Sequence, residues 1–142
     1  MQTHQKTEIN MSRELKFRVW DKLAERFTRC DEGYQGHYVL SLKGEFHNLQ
    51  NGSGGDECIV QQYAGVKDKN GVDIYEGDIV VYREKNREIR IGQYSNGEDE
   101  RIGCFIQDPT VTHRNFGNSK ISDITKCEVI GNIFETPELL KA

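Results

Sequence analysis

The residues best suited to chemistry in this chain are cations set beside aromatic rings. Lys85, Arg87 and Arg90, with Arg83 nearby, are flanked by Tyr82 and Tyr94. Proteins bind single-stranded nucleic acid with this combination, basic groups meeting phosphates while rings stack on bases. Glu84 and Glu88 interleave, however, so residues 83–90 hold four cations against two carboxylates. Affinity for nucleic acid rests on several unopposed phosphate contacts, so the pattern favours a solvated hairpin of mixed charge. The better basic patch is near the N-terminus. There Lys16, Arg18 and Trp20 fall on one face of a predicted strand, with Arg13, Arg26 and Arg29 close in sequence. Its plainer reading is a solvent face whose tryptophan packs on arginine stems. Arg13, Lys16, Arg18, Trp20, Lys85, Arg87 and Arg90 together are the candidate nucleic-acid or partner surface.

Other chemistry has less support. Nucleophilic catalysis needs a cysteine or serine near a histidine that is itself held by an acid. His4, His37, His47 and His113 stand in no motif that announces a base. Cys104 and Cys127 alternate into predicted strands, where cysteine is usually a small buried hydrophobe. Cys30, Cys58, Cys104 and Cys127 are separated by 28, 46 and 23 residues, without the paired spacing of a zinc site. There is no phosphate-binding glycine loop, no HExxH and no paired-carboxylate motif. The expectation is a protein without cofactor, metal or catalytic residues, and not an enzyme.

These side chains must be positioned by a modest core. The 142 residues are 35% hydrophobic and 30% charged, but six Tyr, six Phe and one Trp argue for a folded chain. The net charge of −4 gives no global attraction to nucleic acid or to acidic membranes. No apolar run approaches a membrane span, and MQTHQKTEIN lacks the apolar centre of a signal peptide. A cytoplasmic protein with reduced thiols is expected.

The elements read as short strands. Leu15, Phe17 and Val19 alternate with Lys16, Arg18 and Trp20, the period of a half-buried strand. Further strands are predicted over Arg26–Cys30, Tyr38–Leu42, Glu45–Leu49, Cys58–Tyr63, Ile79–Arg83, Ile89–Tyr94, Arg101–Ile106 and Lys126–Phe134. Asn51–Asp56, with three glycines, is a loop. Asp68-Lys-Asn-Gly71 and Glu76-Gly-Asp78 are turns: Asn and Gly tolerate positive φ, and an Asp carboxylate caps free backbone N–H groups. Tyr63, Gly65, Asp68, Asn70, Gly71, Tyr75, Glu76, Gly77 and Asp78 are explained by those turn roles better than by a ligand laid over them. Glu84–Glu88 is a charged hairpin end, and 108–119 a long loop. Thr136-Pro-Glu-Leu-Leu140 closes the chain as a helical turn with Thr as N-cap. No helix longer than two turns is expected. The spacing predicts a mainly β fold, an SH3-like β-barrel over 63–135 with an added N-terminal β unit over 13–62 and a short C-terminal helical turn.

Three blocks, RELKFRVWD, QQYAGVKDKNGVDIYEGDIVVY and CEVIGNIFETPELL, resemble the YopX family in order and spacing, and together span Arg13 to Leu140. Members are small proteins encoded by bacteriophages and prophages. The resemblance implies a mainly β fold over 13–141 and such an origin, but no reaction and no functional residues. It also marks Met11 as an alternative start to Met1, with residues 1–10 an upstream extension; the polar, aperiodic residues 1–12 by themselves read as a disordered tail. The functional expectation is a phage accessory protein working as a non-enzymatic protein-interaction module. The alternatives are a nucleic-acid-binding barrel and a small enzyme with a loop-assembled site. A short chain with strand edges to cover also predicts a homo-oligomer, with Ile89, Ile91 and Tyr94 offered as a contact face. A host or phage protein is the further expected partner.

Overall fold

The computed structural model describes residues 14–28, 38–49, 52, 54–111 and 115–141. The expectations placed on residues 1–12, Arg13, Arg29, Cys30, His4, His37 and His113 lie outside the described residues. Among the described residues eleven strands run in chain order: β1 (Phe17–Asp21), β2 (Arg26–Phe27), β3 (Tyr38–Leu40), β4 (Phe46–Asn48), β5 (Cys58–Lys67), β6 (Asp73–Tyr75), β7 (Asp78–Tyr82), β8 (Lys85–Ser95), β9 (Glu100–Gln107), β10 (Gly117–Asn118) and β11 (Glu128–Asn132). One helical turn, α1 (Ile121–Ile124), precedes β11, and 3₁₀ turns occupy Gly55–Glu57 and Pro137–Leu140. The fold is mainly β.

The strands form a four-stranded sheet, β2-β1-β5-β6, a five-stranded sheet, β10-β9-β8-β7-β11, and a separate β3-β4 hairpin. Turn chemistry sets the order. The β5–β6 connection is closed by Asp68, whose Oδ1 accepts from the N–H groups of Asn70 (2.8 Å) and Val72 (2.9 Å), while Gly71 N–H donates to its carbonyl. The β7–β8 turn has two residues, Arg83 and Glu84, both at positive φ (49° and 63°). That backbone twist matches the twist of the flanking strands, as Asn-Gly would at lower cost. Tyr82 therefore pairs with Lys85, and β8 begins inside the stretch expected to be a charged hairpin end.

The main core lies on the five-stranded sheet, where Val80 on β7, Ile89 on β8 and Ile106 on β9 pack with Ile74, Ile124 and Cys127. Burying apolar side chains of this size is worth roughly 1.5–3 kcal/mol each. A second cluster joins the two larger sheets: the Trp20 and Phe134 rings stack with centroids 5.0 Å apart, and Phe27 meets both edge-on.

Several expectations are corrected. In β1 both faces are internal at the C-terminal end: Val19 is 4% exposed as its face predicts, but the Arg18–Trp20 face is inward too, with Trp20 8% exposed, whereas Leu15 and Phe17 are 52% and 43% exposed. Arg18 points inward to a buried acid, which makes that face polar and yet internal. The solvent face with tryptophan on arginine stems is not formed, since Trp20 stacks on Phe134 and Arg18 lies over the Phe27 ring. Ile89 and Tyr94 are buried within the chain, so they form no contact face for a second copy. Strand β5 runs unbroken across the 62/63 division. The 108–119 loop contributes β10, and α1 follows it. Thr136 does not cap the C-terminal turn; its Oγ1 accepts from Asn132 N–H (3.1 Å) and donates to Asn132 O (3.2 Å). Among the described residues no helix is long and apolar enough to cross a membrane.

Candidate functional site

Of the candidate residues on β1, Arg18 is drawn into a buried polar latch. Arg18 Nη2 lies 2.7 Å from Asp78 Oδ1. Its Nε donates to Gln61 Oε1 at 2.8 Å, and Nη2 also reaches the Glu76 carbonyl at 3.3 Å. Asp78 is 2% exposed and its Oδ2 accepts from Tyr75 N–H at 2.8 Å. Gln62 N–H donates to Glu76 Oε1 at 2.8 Å. Burial pushes the carboxyls of both Asp78 and Glu76 up, against the pull of Arg18 and the backbone donors. The latch thus uses a turn acid and a strand cation to bind two sheets, and it leaves Arg18 little freedom to meet a ligand.

Lys16 is likewise engaged. It lies 2.6 Å from Asp73 and 4.3 Å from the Tyr63 ring centroid, and Lys67 holds the other Asp73 oxygen at 2.6 Å. Both lysines hold Asp73 below the ordinary carboxylate range. Of the β8 residues, Arg90 pairs with Glu88 at 2.7 Å and bonds Asn115 at 2.9 Å. Arg87 lies on another side, 3.8 Å from Asp108 and over the Tyr82 ring at 5.7 Å. Lys85 is exposed at the start of β8. The structure does not bring the β1 and β8 cations into one patch.

It assembles two other surfaces. The first is a groove of about 530 Å³ between the β3–β4 turn and the outer face of β1 and β5, lined by Phe17, Leu40, Leu42, Val60, Lys43 and Glu76. The hairpin is anchored by buried Phe46, whose ring stacks on Tyr38 at 5.5 Å, and by the bridge from His47 to Gly54. Its turn is tied by Ser41, whose Oγ accepts from Lys43 and Glu45 N–H (3.2 and 3.1 Å). Leu42 is held at the tip, fully exposed. Among the described residues no strand pairs with the outer edge of β3. Sequence reasoning missed this surface because it assigned Phe17 to the interior; the signal available was Leu42 beside Lys43-Gly44, an apolar residue at a turn.

The second surface is a cleft of about 560 Å³ at the far end of the five-stranded sheet. Arg83 and Arg87 from the β7–β8 hairpin meet Arg101 from β9 and Lys120 before α1 there. Arg101 and Lys120 carry no local pattern that sets them beside Arg87; only strand pairing does so.

The thiols of Cys104 and Cys127 are poor nucleophiles. Burial pushes Cys104 up to about 12 and Cys127 up to about 11, so both stay protonated at neutral pH. His47 is paired with Glu45 at 3.6 Å. Among the described residues no group of three or more His, Cys, Asp or Glu side chains is placed to hold a metal ion.

Comparison with known proteins places the chain. A family model described as YopX protein matches residues 16–141. The crystal structure of protein EF1440 from Enterococcus faecalis is similar, with a TM-score of 0.54 and 26% sequence identity over 91% of this chain and 99% of that one. None of the curated proteins matches the chain.

Proposed function

The chain belongs to the YopX family, and we propose that it is a non-enzymatic protein-interaction module whose first partner is a second copy of itself. The observation that carries this reading is the hairpin face. Leu42 stands fully exposed above Phe17 and Leu40, beside a strand edge that nothing pairs among the described residues. Contiguous exposed apolar side chains mark interaction sites, and an open edge invites addition of a strand. A two-stranded hairpin is also marginal by itself. Antiparallel pairing of β3 with β3 of a second copy makes a four-stranded sheet from two hairpins under two-fold symmetry, the commonest closed assembly. The groove carries Lys43 and Glu76, opposite charges that a two-fold copy can set against each other.

Within this reading the five-stranded sheet is the SH3-like part, a β7–β8–β9 meander with the late strand β11 beside β7. The family resemblance supports an origin in a phage or prophage and a place in the host cytoplasm. A host or phage protein is the second expected partner, docking on the same face or on a surface formed by assembly. Sedimentation equilibrium of the wild type and Leu42→Asp tests the reading. A dimer that becomes monomeric on substitution supports it; a dimer indifferent to Leu42, or a wild-type monomer at high concentration, refutes self-association through this face.

A further inference from the structure

The cleft at the end of the five-stranded sheet has a chemistry separate from the hairpin face. Four cations line it, Arg83, Arg87, Arg101 and Lys120, against three acids, Glu98, Asp108 and Asp123. Two of the acids are already engaged. Asp123 Oδ2 accepts from Asn118 Nδ2 at 2.7 Å. Asp108 Oδ1 accepts from Thr110 Oγ1 (2.7 Å) and N–H (2.9 Å), bonds that hold its carboxyl below the ordinary range. Arg101 pairs with Asp99 at 3.7 Å, and the other three cations are less well matched. Arg87 is only 17% exposed, its contact with Asp108 is 3.8 Å, and its buried Nε has no hydrogen-bond partner. Among the described residues no ion pair engages Arg83 or Lys120; Arg83 lies over the Tyr82 ring at 5.1 Å.

We propose that this cleft binds a nucleoside phosphate. The Arg87 guanidinium lines this cleft with only a long contact to an acid, and its planar fork matches the two-pronged geometry of phosphate oxygens. Arg83 and Lys120 add charge to the lining. Phe116 supplies an aromatic wall for a base, and Asn96 supplies a side-chain amide for its edge. The volume suits a mononucleotide, being within the roughly 300–1,000 Å³ of small-molecule sites. The same chemistry is presented by a free nucleotide and by a unit of single-stranded nucleic acid.

Calorimetric titration of the full chain with adenosine monophosphate, adenosine and a short oligothymidylate tests this. The monophosphate should bind and adenosine should not. Arg87→Gln and Lys120→Gln should each weaken binding, by roughly tenfold for the loss of a charge-assisted contact, while Lys22→Gln, outside the cleft, should leave it unchanged. Similar affinities for the monophosphate and the oligonucleotide identify a free nucleotide as the ligand; much tighter binding of the oligonucleotide, steeply weakened by salt, identifies the strand. Lys120 is exposed, so Lys120→Gln decides the matter even if Arg87→Gln fails to fold. The proposal is overturned if neither phosphate probe binds at millimolar concentration, or if binding survives both substitutions undiminished.

Discussion

Arg18 and Asp78, 60 residues apart in the chain, meet at 2.7 Å between the two larger sheets. The pair sits in a ring of partners, with Gln61, the Glu76 carbonyl and Tyr75 N–H completing the hydrogen bonds. A buried ion pair adds little compared with an apolar pair of the same size, but losing one partner strands the other charge. Asp78→Ala should therefore destabilise the fold by about 3–5 kcal/mol. Arg18→Met should cost less, because the neutral acid that burial favours is then tolerated. Urea unfolding of both variants measures the difference.

Gly77 and Gly71 both have positive φ, 82° and 80°, yet substitution should affect them unequally. A Cβ on Gly71 meets nothing, so Gly71→Ala should cost only the backbone strain of about 1–2 kcal/mol. A Cβ on Gly77 collides with the Gln61 side chain, a member of the latch. Gly77→Ala should lower the melting temperature several times further than Gly71→Ala.

Asp68 should contribute to acid sensitivity, as should Asp73 and Asp108, whose carboxyls are also lowered. Burial works against the ionisation of Asp68, but N–H bonds from Val129, Val72 and Asn70 outweigh it, and the carboxyl lies below its ordinary value of 3.8. A depressed carboxyl contributes stability above that ordinary value and loses it as pH falls through the folded one. Asp68→Asn should accordingly flatten the acid limb of a stability–pH curve below about pH 4, besides losing one or more of the turn bonds.

Glu76 has the opposite sign. Burial raises its carboxyl above the ordinary 4.5, so its contribution is present below that value and lost as pH rises through the folded one. Glu76→Gln keeps an acceptor for Gln62 N–H and removes the charge. The variant should gain on the wild type as pH rises from acid to neutral, as read by thermal melts across that range.

The sequence made the strands legible wherever turn chemistry framed them. Glu76-Gly-Asp78 announced β7, and Asp68 and Asp78 take the backbone N–H groups that such residues suit; the three-residue β6 between the two turns was too short to show as a strand. What stayed hidden is long-range. Alternation in β1 identifies two faces but not how far each is buried: Val19 is internal while Phe17 on the same face is exposed, and Asp78 draws Arg18 inward on the other. The Arg83-Glu84 turn was misplaced because neither residue favours positive φ; strand pairing imposes it. The hairpin face and the basic cleft join residues from distant strands, so no local spacing could display them.

The most direct test of the interaction reading is hydrogen–deuterium exchange of the full chain as its concentration is raised. Pairing of β3 with a second copy predicts that amides over Tyr38–Lys43 become slower to exchange with concentration, while those of β8 and β9 do not change. Exchange over Tyr38–Lys43 that is fast and independent of concentration, in a chain whose β8 and β9 amides remain protected, would contradict it.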